Sequence, residues 1–329
     1  MLILAKAILA FMIGFILTII FGYLVIPILK KMNVKQSVSD WMSIHKQKEG
    51  TPTMGGLIFI IPTIITVIIL ILLNKLEFTY NLAIVLFVFL AYALLGFIDD
   101  YLIVKRRNNI GLTEIQKLFG QIVIAIIFFI LFMKGGNQPV LEIYTLGIEI
   151  PMGWFYGLFI LFMLVASTNA VNLTDGLDGL AGGLSAIAFL AFALIAWGSI
   201  GISGSGDIGV FCFILVGALI AFLFYNSHPA RVFMGDTGSL ALGGALASVA
   251  IVTNHELTLI VVAGVFVVET LATILQLISV KLTKKRIFLM TPIHYHFVKL
   301  GWKETDVVKM FWVFGLLLAS IAILWGVWI

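Results

Sequence analysis

Asp99 and Asp100 stand side by side in LLGFIDDYLI (94–103), where a long apolar run closes. A helix C-terminus carries negative partial charge, so a carboxylate there loses about 0.3–1 kcal/mol. Adjacent like charges repel as well. A cation should therefore compensate them: a metal ion, or the Lys105–Arg107 cluster one turn further on. Neighbours on a helix point about 100° apart, so the two acids are expected to do different jobs. Asp236 lies in FMGDTGSL (233–240), a turn between Gly235 and Gly238, with Thr237 or Ser239 able to cap the helix that follows. An isolated carboxylate on a tight turn, with water completing the shell, is a common way to hold Mg²⁺ beside phosphates. In NAVNLTDGLDGLAGG (169–183), Asn172, Asp175 and Asp178 recur every third residue and share one face if the segment is helical. A helix N-cap needs one such residue, not three, and free N–H groups at a helix start suit a phosphate or a sugar hydroxyl.

Three further stretches carry polar groups. In RIFLMTPIHYHF (286–297), His294 and His296 are two apart, hence on one side of an extended chain. No third soft ligand lies nearby, and the acids elsewhere are hard oxygen donors, which favours magnesium over zinc. The pair then reads as a phosphate or nucleotide contact, or as an aromatic patch at headgroup level. KEGTPTMGG (48–56) brings Lys48, Thr51 and Thr53 to a helix start, either as caps or as phosphate contacts. Glu269 and Gln276 lie two turns apart inside an apolar segment. A buried Glu in a membrane span is a functional candidate by default, with a hydrogen bond to a neighbouring helix as the plain alternative.

These side chains hang on a chain that is 62% hydrophobic and 11% charged, far from the balance of soluble domains. Ten apolar segments are visible, at 7–29, 54–73, 78–98, 118–133, 150–168, 179–200, 208–225, 238–253, 257–280 and 307–329. Most reach the ~20 residues that cross a hydrocarbon core of about 30 Å. None alternates as barrel strands do, so the segments should be helices that satisfy their own backbone groups. The first is too long for a signal-peptide core and lacks a small-residue cleavage site, so it reads as a true span. The expectation is an all-α polytopic membrane protein of about ten spans, forming one catalytic domain over 1–329. A small hairpin is expected on the outer face at 138–150.

If the spans alternate, only Lys6, Lys75 and Lys134 of the 20 Lys and Arg fall in one set of loops. The rest face the cytoplasm by the positive-inside rule, with both termini outside. The net charge of +4 then needs no nucleic acid; a basic belt beside anionic headgroups accounts for it. The same rule places Asp99, Asp100, Asp175, Asp178 and Asp236 on the cytoplasmic side. Transporters keep their ionisable groups near the midplane and often show repeated halves. Here the acids crowd one face and no repeat is visible, which argues for an enzyme at the membrane edge. The single Cys212 excludes an intrachain disulfide.

The five stretches, in this order, resemble the polyprenyl-phosphate N-acetylhexosamine-1-phosphate transferases, over about residues 46–302. TPTMGG and PIHYHF are similar to the branch that uses a UDP-MurNAc-pentapeptide donor. The resemblance implies transfer of phospho-MurNAc-pentapeptide to undecaprenyl phosphate with release of UMP, in the bacterial cytoplasmic membrane. It also implies Mg²⁺, a cleft at the cytoplasmic helix ends, and a homodimer. By the same resemblance Asp236 is the metal ligand, and Asp99 and Asp100 are the acidic pair near the lipid phosphate. Those two would deprotonate that phosphate, or help place metal and cation. Asn172, Asp175 and Phe233 are nucleoside-site residues, with Asp178 nearby. Lys48, Thr53, Asn226, Gln276, His294 and His296 are further pocket residues, and Lys117 is a phosphate contact. A sister enzyme using UDP-GlcNAc is the alternative within the family. Ile103 stands where the family carries a Lys after its acidic pair, and Tyr295 where it carries a second His of three.

Overall fold

The computed structural model describes residues 3–31, 50–106, 111–143, 147–198 and 204–325. Lys48 lies outside them. The helices are α1 (Ile3–Lys31), α2 (Leu57–Leu72), α3 (Tyr80–Arg106) and α4 (Glu114–Lys134), then α5 (Phe155–Thr174), α6 (Leu180–Gly198), α7 (Ser205–Asn226) and α8 (Gly235–Val252). There follow α9 (Glu256–Val262), α10 (Gly264–Thr283), α11 (Ile293–Lys299) and α12 (Glu304–Ile323). Among the described residues nine helices are long and apolar enough to cross a membrane. The sixteen residues of α2 make a tenth apolar helix, about 24 Å long and short of a full crossing by itself. The all-α polytopic expectation holds.

Two boundaries differ from the sequence reading in ways that matter. The third segment does not stop before the acidic pair: α3 runs on to Arg106, so Asp99 and Asp100 sit about two turns inside the helix. YLIV continues the apolar face, and Lys105 and Arg106 in the last turn complement the helix dipole. The span expected at 257–280 is broken at Ala263 into α9 and α10, with Gly264 opening the second piece.

Helix α8 forms the core, with every residue from Thr237 to Val252 buried. Its small residues let α3 and α5 approach closely. A Cβ added to Gly243 would lie 2.5 Å from Thr168 Cα on α5, and Ser167 donates to the Gly243 carbonyl at 2.8 Å across the same contact. Helices α6 and α7 pack on each other nearby, with α1 and α2 covering α7 and α12 covering α6. On α1, large apolar side chains from Leu4 to Ile28 stand exposed at four-residue spacing. Such a stripe is untenable in water and is the natural face toward lipid.

Strands β1 (Val140–Ile143) and β2 (Ile148–Pro151) pair antiparallel, with Val140 opposite Pro151. This is the hairpin expected at 138–150. Asn254, in the turn after α8, donates to Glu142 at 2.7 Å and ties the hairpin to the bundle.

Candidate active site

Four helices, α3, α4, α5 and α8, converge on one polar cluster. Asp99 and Asp100 point in different directions from α3, as neighbours on a helix must. Asp99 turns toward the start of α4, where it accepts from the Leu112 N–H at 2.7 Å and from Lys117 Nζ at 3.2 Å. The sequence TEIQ fixes where α4 begins. Thr113 Oγ1 accepts from Gln116 N–H at 3.2 Å while Gln116 Oε1 accepts from Thr113 N–H at 3.0 Å, a reciprocal capping box. Lys117 follows directly and reaches back across the cluster.

Asp100 turns toward the start of α8. One oxygen accepts from Asp236 N–H at 3.2 Å, and the other from Thr237 N–H at 2.9 Å and Thr237 Oγ1 at 2.6 Å. The residue at the N-cap position of α8 is Met234, which has no side-chain acceptor to offer. Asp100 therefore supplies from another helix the carboxylate that a capping residue would have given. The sequence reading had Thr237 or Ser239 in that role. Both lie inside the helix instead, Thr237 donating to Asp100 and Ser239 to the Gly235 carbonyl at 3.1 Å.

Asp236, in the first turn of α8, is held on both oxygens. Asn172, in the last turn of α5, donates to Oδ1 at 2.7 Å and also to Ser239 Oγ at 2.9 Å. Lys117 Nζ lies 2.5 Å from Oδ2. Among the described residues the cation beside the acidic pair is Lys117, because α4 crosses the cluster while Lys105 lies beyond it on α3; Arg107 lies outside the described residues. Asp99 is 5% exposed, whereas Asp236 and Lys117 keep 21% and 23% of their side chains open. Asp99 and Asp236 share the one Lys117 ammonium, and the more open of the two, Asp236, faces the edge of the cluster. Hard oxygen donors with residual charge fit a divalent cation such as Mg²⁺.

The helices can meet this closely because of Gly96. A Cβ there would lie 2.1 Å from the Asp236 carbonyl oxygen and 2.4 Å from its carbon, both of them backbone. Nothing flexible is available to yield. Gly96→Ala is expected to push α3 off the α8 N-terminus, costing about 1–3 kcal/mol. It should lower activity by about 10²-fold, through displacement of the acids by a fraction of an ångström to 1 Å. Thermal unfolding and turnover of the purified variant check both. A variant with wild-type turnover would show that the close crossing is dispensable.

The remaining sequence candidates fall into two neighbouring groups. Asn172, Asp175 and Asp178 do not share a helix face: α5 ends at Thr174, Asp175 is its C-cap, and the chain turns through Gly179 at φ +80°. Asp178 instead accepts from Ala230 N–H and lies against His228 Nδ1, each at 3.1 Å, while its own N–H donates to Glu304 Oε1 at 2.8 Å. Asp178, His228 and Glu304 bring ligand atoms within 4.8 Å of one another, a grouping able to hold a metal ion. Asn226 pins the same loop, accepting from Gly179 N–H at 3.2 Å and donating to the Val232 carbonyl at 3.0 Å. Phe233 pairs by its backbone with the stretch around Thr53, through Pro52 and Gly55 at 2.8 Å each. Thr53 is buried, and a Cβ on Gly235 would lie 2.7 Å from its Oγ1 and 2.5 Å from an Asp100 oxygen.

The last group joins α10 to α11. The segment around His294 is helical rather than extended, which sends His294 and His296 to opposite sides. His294 is fully buried, while His296 Nδ1 accepts from Leu289 N–H at 3.1 Å. Glu269 and Gln276 both serve this loop. Gln276 accepts from Ile287 and Phe288 N–H at 2.9 and 3.0 Å and donates to the Phe288 carbonyl at 3.0 Å. Glu269 accepts from Ile293 N–H at 2.7 Å and faces His294 Nδ1 at 3.0 Å. For Glu269 the plain alternative, a bond to a neighbouring element, is what the structure contains. Tyr295 donates to the Gly176 carbonyl at 3.1 Å. Burial, with Glu304, Asp175 and Glu269 nearby, pushes its phenol up, so it stays a proton donor.

Sequence reasoning passed over Gly96, Thr113, Thr237 as partner of Asp100, His228 and Glu304. Only Thr113 carried a local signal, the capping box; the others are defined by contacts distant in sequence.

Comparison with known proteins adds an independent line. The profile described as glycosyl transferase family 4 matches residues 82–254, and a phospho-N-acetylmuramoyl-pentapeptide-transferase signature matches 48–60. A phospho-N-acetylmuramoyl-pentapeptide-transferase from Geobacillus sp. (strain WCH70) is 46% identical over 325 residues, covering 98% of each chain. That of Oceanobacillus iheyensis is 45% identical over 94% of this chain and 95% of its own. That of Bacillus subtilis (strain 168) is 45% identical over 96% of each.

Proposed function

The chain belongs to the phospho-N-acetylmuramoyl-pentapeptide transferase family, and from that premise we propose that Asp236, Lys117 and Asp99 form its phosphoryl-transfer centre. The enzyme transfers phospho-MurNAc-pentapeptide from its UDP-linked donor to a polyprenyl phosphate in peptidoglycan biosynthesis, and it does so as a multi-pass membrane protein. The acceptor is undecaprenyl phosphate. An oxygen of the lipid phosphate attacks the β-phosphorus of the donor, the bond to the α-phosphate oxygen breaks, and UMP leaves.

Such a transfer asks for two anions to be brought together and for the leaving charge to be neutralised, more than for covalent help. Asp236 would hold Mg²⁺ at the open edge of the cluster. When bound, the ion supplies positive charge to the donor diphosphate. Lys117 offers its ammonium at that same edge, held there by Asp99 and Asp236. A phosphate monoester is largely ionised near neutral pH, so the acceptor needs little help to lose a proton. Asp99 is then chiefly the group that aims Lys117, and Asp100 the group that fixes the turn bearing Asp236. Asn172, Asp175, Asp178, Asn226 and Phe233, with Thr53, Gln276, His294 and His296, line or support the nucleotide side, and Lys48 joins them from the sequence motif. The Lys and Arg bias of the loops turns this face to the cytoplasm, where the soluble donor arrives, with both termini outside. The protein forms a homodimer.

The observation that carries this reading is the Lys117 bridge between Asp99 and Asp236, which joins the 94–103 and 233–240 stretches into one charged cluster at the edge of the spans. The test is UMP release by purified protein from UDP-MurNAc-pentapeptide and undecaprenyl phosphate. Turnover is expected with Mg²⁺ and should fall by about 10²-fold or more in EDTA, recovering when Mg²⁺ is restored. Undiminished turnover in EDTA would remove the metal from the mechanism. Release from UDP-GlcNAc in preference would move the enzyme to the sister specificity.

A further inference from the structure

Glu269 lies in the interior of α10 and is wholly buried, as is His294. A carboxylate taken so far from water must be compensated by the bonds it makes. Both its oxygens go to the start of α11, one to Ile293 N–H at 2.7 Å and the other to His294 Nδ1 at 3.0 Å. A carboxylate only accepts, so the ring proton sits on Nδ1 and Nε2 is left as an acceptor. Nε2 is buried and has no hydrogen-bond partner among the described residues. It abuts Gly176, where an added Cβ would fall 2.3 Å from Nε2 and 2.8 Å from the Tyr295 hydroxyl. Tyr295, next along α11, donates to the carbonyl of that same glycine at 3.1 Å. The two rings brace each other, their centroids 4.1 Å apart. Gly176 thus has a ring against it on one side and a hydrogen bond on its carbonyl, and the residue before it is Asp175.

We propose that Glu269, acting through His294, and Tyr295 are positioning residues that clamp Gly176 and thereby set Asp175 in the nucleotide-donor pocket. The proposal rests on the assignment of the 172–178 stretch to that pocket. It gives a membrane-buried acid a part in substrate recognition at the membrane edge. It also gives the Tyr at position 295 a use of its own, because an imidazole has no hydroxyl to reach the Gly176 carbonyl.

The experiment measures UMP release by the full chain in detergent, varying UDP-MurNAc-pentapeptide and undecaprenyl phosphate separately. Tyr295→Phe removes one hydrogen bond and is expected to raise the donor KM about 3–10-fold. Its kcat should stay within about twofold, with the lipid KM unchanged. Tyr295→His should behave as Tyr295→Phe. Glu269→Gln should raise the donor KM further: its amide either sets an N–H against the Ile293 N–H or the Nδ1–H, or it shifts the ring proton to Nε2 and so changes the atom that abuts Gly176. An unchanged donor KM in Tyr295→Phe overturns the clamp. So does a loss shared equally by kcat and both KM values, which marks a merely structural contact. If the wild type releases no UMP from this donor, the pocket assignment fails and the clamp with it; wild-type turnover with unshifted variants sinks the clamp alone.

Discussion

Asp236→Asn is expected to lower turnover by about 10²–10⁴-fold while leaving the fold intact. The replacement is isosteric, and the site is partly open, so packing is little disturbed. What changes is charge. The cluster loses the carboxylate that Asn172 and Lys117 hold in place and that faces the open edge. Stabilisation of a transferring phosphoryl group by a bound cation is worth several kcal/mol, and about 3–5 kcal/mol corresponds to that loss of rate. Lys117 keeps Asp99 as its one carboxylate partner of the two it had. Steady-state UMP release checks the expectation. An Asn variant within tenfold of wild type would take Asp236 out of the metal role.

The second large effect separates two adjacent acids that sequence alone leaves equivalent. Asp100→Asn should lose stability and activity together. Asp100 accepts from two backbone N–H groups and one hydroxyl at the start of α8, and it is 4% exposed. An amide has one acceptor oxygen, and its NH₂ must then face a donor. Leaving buried donors unmatched costs about 1–3 kcal/mol each. The same change loosens the turn that carries Asp236, so turnover should fall about 10²-fold as well. Asp99→Asn keeps an acceptor for Leu112 N–H and gives up chiefly the charge facing Lys117. Turnover should fall with little change in thermal midpoint. The reverse pattern, an Asp100→Asn variant as stable as wild type yet inactive, would place Asp100 in the chemistry rather than under it.

The elements were largely readable because the bilayer imposes a length and a hydropathy on each of them. Hence the ten apolar helices, the all-α class and even the small hairpin could be read from the chain. The site was readable as residue types but not as pairings. Asp100 caps a helix that begins 135 residues later, and no local pattern announces a cap delivered by tertiary contact. Lys105 looked like the compensating cation because it was near in sequence; Lys117 is the actual one because α4 folds back over α3. Spacing decided nothing in two places where the backbone state was open. Asn172, Asp175 and Asp178 are separated by a helix end, and His294 and His296 by a short helix. Gly96 looked like any other glycine in an apolar run until the Asp236 backbone was found against it.

One measurement bears most directly on the claim that Asp236 holds the catalytic cation. Mn²⁺, a spectroscopic stand-in for Mg²⁺, would be titrated into the purified protein and followed by electron paramagnetic resonance. Wild type would be set beside Asp236→Asn and His228→Gln, the latter touching the other grouping able to hold a metal. The expected result is a bound Mn²⁺ signal in wild type and in His228→Gln that disappears in Asp236→Asn. A signal that survives Asp236→Asn and vanishes in His228→Gln would contradict the account and move the metal to Asp178, His228 and Glu304.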